Sequence, residues 1–196
     1  MDRIGACGAS DAGSIPAEGI LNKSLYKKCV RARFPTLNTT TLSIMIISFK
    51  PHSREEIPLR VKWLNNREAN KYAIENPEHE TTTEEQTVWY DRYEQNPYKK
   101  FFTIFDDEKP IGFMGLSDID KEAVAFIMIG EDDYRGKGIG KISLKYLIDY
   151  GFKELGLKRM TASTDPRNEP VIKLNKSVGF REISRDERDI SWEITK

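Results

Sequence analysis

No stretch of this chain runs 18 residues on apolar side chains alone, so no segment has the length to cross a bilayer as a helix. Charge of one sign is missing as well: Lys plus Arg, 31, equals Asp plus Glu, 31. Without net charge no overall field draws the protein to nucleic acid or anionic lipid, and neither is expected as a partner. Cysteine is scarce. Cys7 and Cys29 are the only two, and none follows Met45, which removes disulfides and thiolate metal sites from the expected core and fits a reducing cytoplasm. His52 and His79 are the only histidines and lie away from any ligand cluster, so no metal is expected. The first 30 residues lack the continuous apolar stretch that a secretory signal requires.

Residues 1–43 lack a persistent apolar period. Gly5, Gly8, Gly13 and Gly19 interrupt them and Ser, Ala and Thr are frequent. This tail is expected to be disordered or loosely docked, with the folded domain over 44–196.

From Ile44 the pattern becomes coherent. Ile44–Phe49 reads as a strand, Pro58–Leu64 as a short helix broken at Asn65-Asn66, and a second helical piece follows through Ala69 and Tyr72. Thr83-Glu84-Glu85-Gln86 has the form of a capping box and opens a helix carrying Val88, Trp89, Tyr90 and Tyr93. Phe101–Phe105 and Ile111–Leu116 flank the Asp106–Pro110 turn as a hairpin. Ala123–Ile129 is nearly all apolar and predicts a strand buried on both faces. Ile139, Ile142, Leu144, Leu147, Ile148, Phe152 and Leu155 fall at helical spacing, with Gly156 placed as a C-terminal stop. Met160–Thr164, Arg181–Ile183 and Ile190–Ile194 read as strands, and Asn168 with Pro170 opens a helix that Gly179 ends.

Chemistry concentrates in Tyr134-Arg135-Gly136-Lys137-Gly138-Ile139-Gly140-Lys141, between the apolar strand and the long helix. The glycines let the backbone turn tightly and approach a ligand, and the helix entrance supplies free N–H groups and a positive dipole end. Arg135, Lys137 and Lys141 add charge at the same mouth. An anion, phosphate or pyrophosphate, is the expected ligand. The phosphate loop of nucleotide hydrolases is excluded, because Gly140-Lys141 is followed by Ile142 and residue 135 is not Gly. Gly136, Gly138 and Gly140 do not have dinucleotide-fold spacing, and the kinase companion motifs are absent.

Arg135-Gly136-Lys137-Gly138-Ile139-Gly140 resembles the acetyl-CoA signature of the GNAT superfamily, R/Q-x-x-G-x-G/A. Asn168 through Leu174-Asn175-Lys176-Ser177-Val178-Gly179-Phe180 resembles that family's closing motif, N-x(5)-L-x(4)-G-F. Trp63–Tyr72 is similar to a segment of the branch with ribosomal-protein-alanine and amino-sugar acetyltransferases. The resemblance spans about Ile46 to Ile194. It implies an α/β (α+β) domain: a mixed, mostly antiparallel central sheet of about six to seven strands, splayed at the cofactor site and flanked by about four helices.

It also implies an N-acetyltransferase that takes acetyl-CoA as co-substrate and transfers acetyl to a primary amine in a ternary complex. The acceptor would be a protein N-terminus, an amino sugar or a small amine, and the protein a monomer or homodimer. Ile127, Met128 and Ile129 would offer backbone groups to pantetheine and thioester, and Arg135 to Lys141 would hold the pyrophosphate. Asn168 would bind cofactor or cap its helix. Lys173 and Lys176 would reach the 3′-phosphate or stay solvated. The tyrosine that many relatives use as general acid is replaced here by Asn175, which leaves a catalytically silent acyl-CoA-binding module as the alternative. Candidate bases are Glu122, Asp165 and Glu68, against a water relay with no single essential side chain. Asn65, Asn66, Glu68 and Trp89 are the expected acceptor contacts, although Trp89, Tyr90 and Tyr93 suit a buried aromatic face equally well.

Overall fold

A computed structural model describes residues 30–34, 43–74, 76 and 78–196. The remainder of the expected tail lies outside the described residues. Among the described residues, eight strands form one sheet: β1 (Val30–Phe34), β2 (Ser43–Pro51), β3 (Lys100–Asp106), β4 (Lys109–Ser117), β5 (Glu122–Ile129), β6 (Arg159–Thr164), β7 (Arg181–Arg185) and β8 (Ile190–Thr195). Their order across the sheet is β1-β2-β3-β4-β5-β6-β8-β7. Only the β5–β6 pair is parallel among the described residues. The strand count exceeds the expected six to seven because the sheet continues into the tail, where Val30 pairs with Ile47 and Phe34 with Ser43.

Among the described residues, five α-helices accompany the sheet: α1 (Ile57–Leu64), α2 (Arg67–Asn70), α3 (Thr83–Glu94), α4 (Ile139–Lys153) and α5 (Glu169–Val178). The α1–α2 break is set by Asn66, whose side chain accepts from the Ala69 amide and starts a new helix instead of continuing the old one. The capping box of α3 lies one residue earlier than the sequence reading. Thr82 is extended and exchanges hydrogen bonds with Glu85, whereas Thr83 is already helical. Gln86 is thereby released from capping and turned inward, where it accepts from Arg60 Nε at 2.7 Å.

Period-two alternation in β3 and β4 divides the molecule into two packed faces. Phe102, Ile104, Met114 and Leu116 belong to the main core with Ile139, Leu144 and Leu147 of α4. Ile139 and Leu147 are fully buried, each contributing about 1.5–3 kcal/mol relative to exposure. Phe49 stacks on Tyr146 at 4.3 Å between centroids, and Phe102 meets Tyr150 edge-on at 5.1 Å. Phe101 and Phe113 point the other way, into an aromatic cluster with Trp63, Trp89 and Tyr93 of α1 and α3.

Strand β5 departs from expectation. Only Ala123 and Ala125 are buried, and Ile127 to Ile129 are half-exposed. The reason is that its neighbour on one side leaves it part-way along.

Candidate active site

β5 and β6 pair over three residues only: Glu122 with Arg159, Ala123 with Met160 and Val124 with Thr161. Beyond Val124, β5 keeps β4 as its partner and β6 keeps β8, so a wedge opens between them. Amides along a strand alternate sides. Gly130 donates to the Ile111 carbonyl of β4 at 2.9 Å, so Met128 turns its backbone the same way, while Ile127 and Ile129 face the wedge. The Ile129 carbonyl accepts from Arg135 Nε at 3.0 Å. Of the three residues named from the sequence, Ile127 and Ile129 therefore present backbone to the wedge. Met128 does not, and lines a cavity against α1 and α3 instead.

The glycine loop closes the wide end of the wedge. Gly138 is the N-cap of α4 with φ 74°, and Gly136 has φ 72°, conformations that glycine adopts without steric cost. A Cβ on Gly136 would meet nothing within 4 Å, so the loop is open above it. Among the described residues, none of the amides from Gly136 to Gly140 donates to another backbone group. A helix entrance with unpaired amides is what a diphosphate requires, and these residues fit that of coenzyme A. Ile139 gives only its backbone, since its side chain is fully buried. Gly140 allows α5 to approach, for a Cβ there would lie 3.3 Å from Leu174.

The three expected cations divide. Lys137 and Lys141 remain exposed at the mouth, with the Lys137 ammonium 5.6 Å from the Tyr134 ring. Lys109 reaches the same ring at 4.9 Å from the β3–β4 turn. Sequence reasoning missed it, because only the hairpin brings residue 109 to this loop. Arg135 is tied back by Asp132 at 2.7 Å as well as by Ile129. Its guanidinium caps the strand end and is not held out toward a phosphate.

Asn168 accepts from the Val171 amide as the cap of α5. Lys173 pairs with Glu169 at 3.2 Å on an exposed face, and Lys176 is exposed. Asn175 is buried and donates to Thr164 Oγ1 at 3.2 Å. Glu122 is not brought to the wedge. It stands where β5 and β6 are still zipped together, bound to Arg159 at 2.8 Å. Asp165 follows β6 at the wide end and pairs with Arg167 at 2.7 Å. The Arg167 hydrogen bonds hold its carboxyl below the usual range, which weakens it as a base.

Against β5 lies a cavity of about 1080 Å3 walled by α1, α3 and Ala73, Ile74, Asn76, His79 and Thr81, with Phe113, Phe126, Ile127 and Met128 on its strand side. Trp89 lines it. Its ring runs parallel to Tyr93 and Phe101 at 5.4 and 5.3 Å, and the Arg60 guanidinium covers it at 3.8 Å. Tyr90 is buried. Asn65, Asn66 and Glu68 are not among the lining residues. Asn65 exchanges two hydrogen bonds with Thr81 and so fixes the wall; Asn66 donates to Asp132 at 3.0 Å; Glu68 is exposed.

Behind this wall sits His52, buried among Trp89, Tyr90, Tyr93 and Phe113. Its Nδ1 lies 2.8 Å from Thr103 Oγ1. Burial, reinforced by the charge of Arg60, lowers its pKa to about 3, so the ring is neutral at physiological pH. Glu131 accepts from Trp63 Nε1 at 2.8 Å and from Lys62 at 2.6 Å. These two hydrogen bonds, Lys62 foremost, hold its carboxyl below the usual range. Among the described residues, no group of three or more His, Cys, Asp or Glu is placed to hold a metal ion, and no helix is long and apolar enough to cross a membrane.

A splayed strand pair ending in a glycine-lined helix entrance defines an acyl-CoA-handling fold, and comparison with known proteins assigns it. Residues 47–181 match the family model "Acetyltransferase (GNAT) domain", so the chain belongs to the GNAT acetyltransferase family. It is an N-acetyltransferase with acetyl-CoA as co-substrate. The chain is similar to alpha/beta-tubulin-N-acetyltransferase 9 of Homo sapiens, 24% identical over 164 residues that cover 75% of this chain and 77% of the relative. It is also similar to spermidine N(1)-acetyltransferase of Escherichia coli K12, 26% identical over 136 residues, 68% of this chain and 72% of that one. Its fold matches the crystal structure of Vibrio cholerae spermidine N-acetyltransferase with CoA and spermine, at TM-score 0.70 and 21% identity, covering 76% of this chain and 95% of that one.

Proposed function

We propose that the protein acetylates the amine of a peptide, a protein N-terminus included, by direct attack within a ternary complex. The observation that carries this reading is the position of β5, which has its free edge on the cofactor wedge while Ile127 and Met128 also line the acceptor cavity. One short run of backbone thus meets both reactants.

In this reading the amine nitrogen attacks the thioester carbon, and an amide on the free edge, Ile127 or Ile129, donates to the developing oxyanion. The carbon–sulfur bond then breaks. The ammonium proton leaves through water, since neither Glu122 nor Asp165 is poised as a base, and the thiolate is reprotonated from solvent. Gly136 to Lys141 hold the diphosphate, with Lys137 and Lys141 as its cations. Residues 44–196 form the catalytic unit, as a monomer or homodimer in the cytoplasm.

A peptide suits the cavity better than the two other acceptors. An amino sugar would want an uncovered aromatic face, and Trp89 is covered by Arg60. A polyamine would want carboxylates along its length. The cavity instead carries Arg92 and Lys99 at one end, and Glu84 with Glu85 at the other, Glu85 being engaged by Thr82 and His79. The test is thiol release and product mass with acetyl-CoA and a panel of peptides, amino sugars and polyamines. Acetylated peptide is expected. Acetylation of spermidine with peptides ignored would overturn the acceptor, and tight CoA binding with no turnover would leave the silent module.

A further inference from the structure

The free edge of β5 has support on one side only, so its geometry depends on what pins the strand end. Gly130 and Glu131 both donate to the Ile111 carbonyl, at 2.9 and 3.1 Å. Two residues set against one make a bulge, which swings the chain away from the ladder. Beneath it lies Trp63. A Cβ on Gly130 would stand 2.2 Å from the indole, so the ring rests directly on the backbone. The same indole is almost wholly buried and lies at 6.2 Å, near parallel, to Phe113, the residue that pairs with Met128. What fixes the indole in its own plane is Glu131, which accepts from Trp63 Nε1 and, through the same oxygen, from Lys62. A further tie runs from Asn66 to Asp132, from Asp132 to Arg135, and from Arg135 to the Ile129 carbonyl.

We propose that Glu131 is a positioning residue for acyl transfer: through Trp63 and Lys62 it sets the register of the Ile127–Ile129 edge against which the thioester carbonyl is held. This rests on the acetyl-transfer reading above. Glu131 touches no reacting atom. Its effect is to hold the edge amides within the few tenths of an ångström that separate a productive oxyanion contact from a long one. The helix that carries Trp63 also walls the acceptor cavity through Arg60 and Leu64, so the same contact keeps the two half-sites in fixed relation.

The test uses the full chain with Glu131→Ala, Glu131→Gln and Trp63→Phe. Glu131→Ala is expected to lower kcat about 10- to 100-fold while the Kd for CoA stays within about twofold, because the glycine loop is untouched. Glu131→Gln retains an acceptor for the indole and should recover most of the rate. Trp63→Phe combined with Glu131→Ala should be no slower than the slower single variant, since both remove one contact. Hydrogen exchange at the amides of Met128, Gly130 and residue 131, the ones turned toward β4, should quicken in Glu131→Ala, with no acceptor present. Wild-type kcat in Glu131→Ala, or a loss matched by equal loss of CoA binding and melting temperature, would overturn the proposal while leaving acetyl transfer intact. A wild-type protein that binds CoA but turns over no amine would instead overturn the underlying reading.

Discussion

The two halves of the site are built from different material. The glycine mouth is backbone: Gly136 and Gly138 at positive φ, the amides of residues 136 to 140 at the entrance of α4, and a strand edge that lost its partner. The acceptor cavity is side chain: Trp89 covered by Arg60, Arg60 fixed by Gln86, and a neutral His52 behind them. A backbone site tolerates wide change in the surrounding side chains but little change in its glycines. A side-chain site responds instead to burial, charge and pH. The difference explains how one fold can keep its co-substrate while its acceptor varies.

Acid should separate the halves most strongly. His52 titrates near 3 in the folded state and near 6.5 unfolded, so the unfolded chain binds the extra proton between those values. The stability that neutral His52 contributes is therefore complete above about pH 6.5 and is lost as pH falls toward 3, by about 5 kcal/mol in all. Urea unfolding followed against pH should show this slope, and His52→Gln should flatten it. A wild-type profile that is level from pH 6.5 to 4 would mean that His52 is not held neutral among Trp89, Tyr90, Tyr93 and Phe113.

Next in size is the mouth. Gly138→Glu adds a side chain to a residue at φ 74° and a negative charge where phosphate should sit. Affinity for CoA, read by calorimetry, should fall at least about 100-fold, or about 3 kcal/mol. Unchanged affinity would end the contrast, because the mouth would then not be a backbone site.

The smallest effect belongs to the zipped end of the strand pair. Glu122→Gln removes one arm of the partly exposed Glu122–Arg159–Glu193 network and should cost less than about 1 kcal/mol. Its pH–rate profile should overlay the wild type. A lost alkaline or acid limb would restore Glu122 to the chemistry and place the wedge elsewhere.

Much of this was legible before the fold was seen. The α4 pattern, the Asn168 and Gly179 stops of α5, the Phe101–Leu116 hairpin and the glycine loop all follow from short-range rules, because caps, turns and periods are local. The α3 cap slipped by one residue, since Thr82-Thr83 and Glu85-Gln86 offer two boxes and only the inward pull of Arg60 on Gln86 chooses between them. Asn65 and Asn66 were read as acceptor contacts for their polarity, yet they hold a wall segment and a helix start. Arg60, His52, Lys109 and the Trp63–Glu131 pair left no periodic trace, for each acts on a partner in a distant part of the chain.

By itself the sequence determined a mixed α/β domain with a glycine-lined helix entrance, because glycine placement and apolar period act within a few residues of chain. Tertiary structure alone decided which strand edge is free, which cations remain at the mouth and what the acceptor meets. Those depend on where β5 parts from β6 and on which side chains the sheet brings together, and neither is written in neighbouring residues.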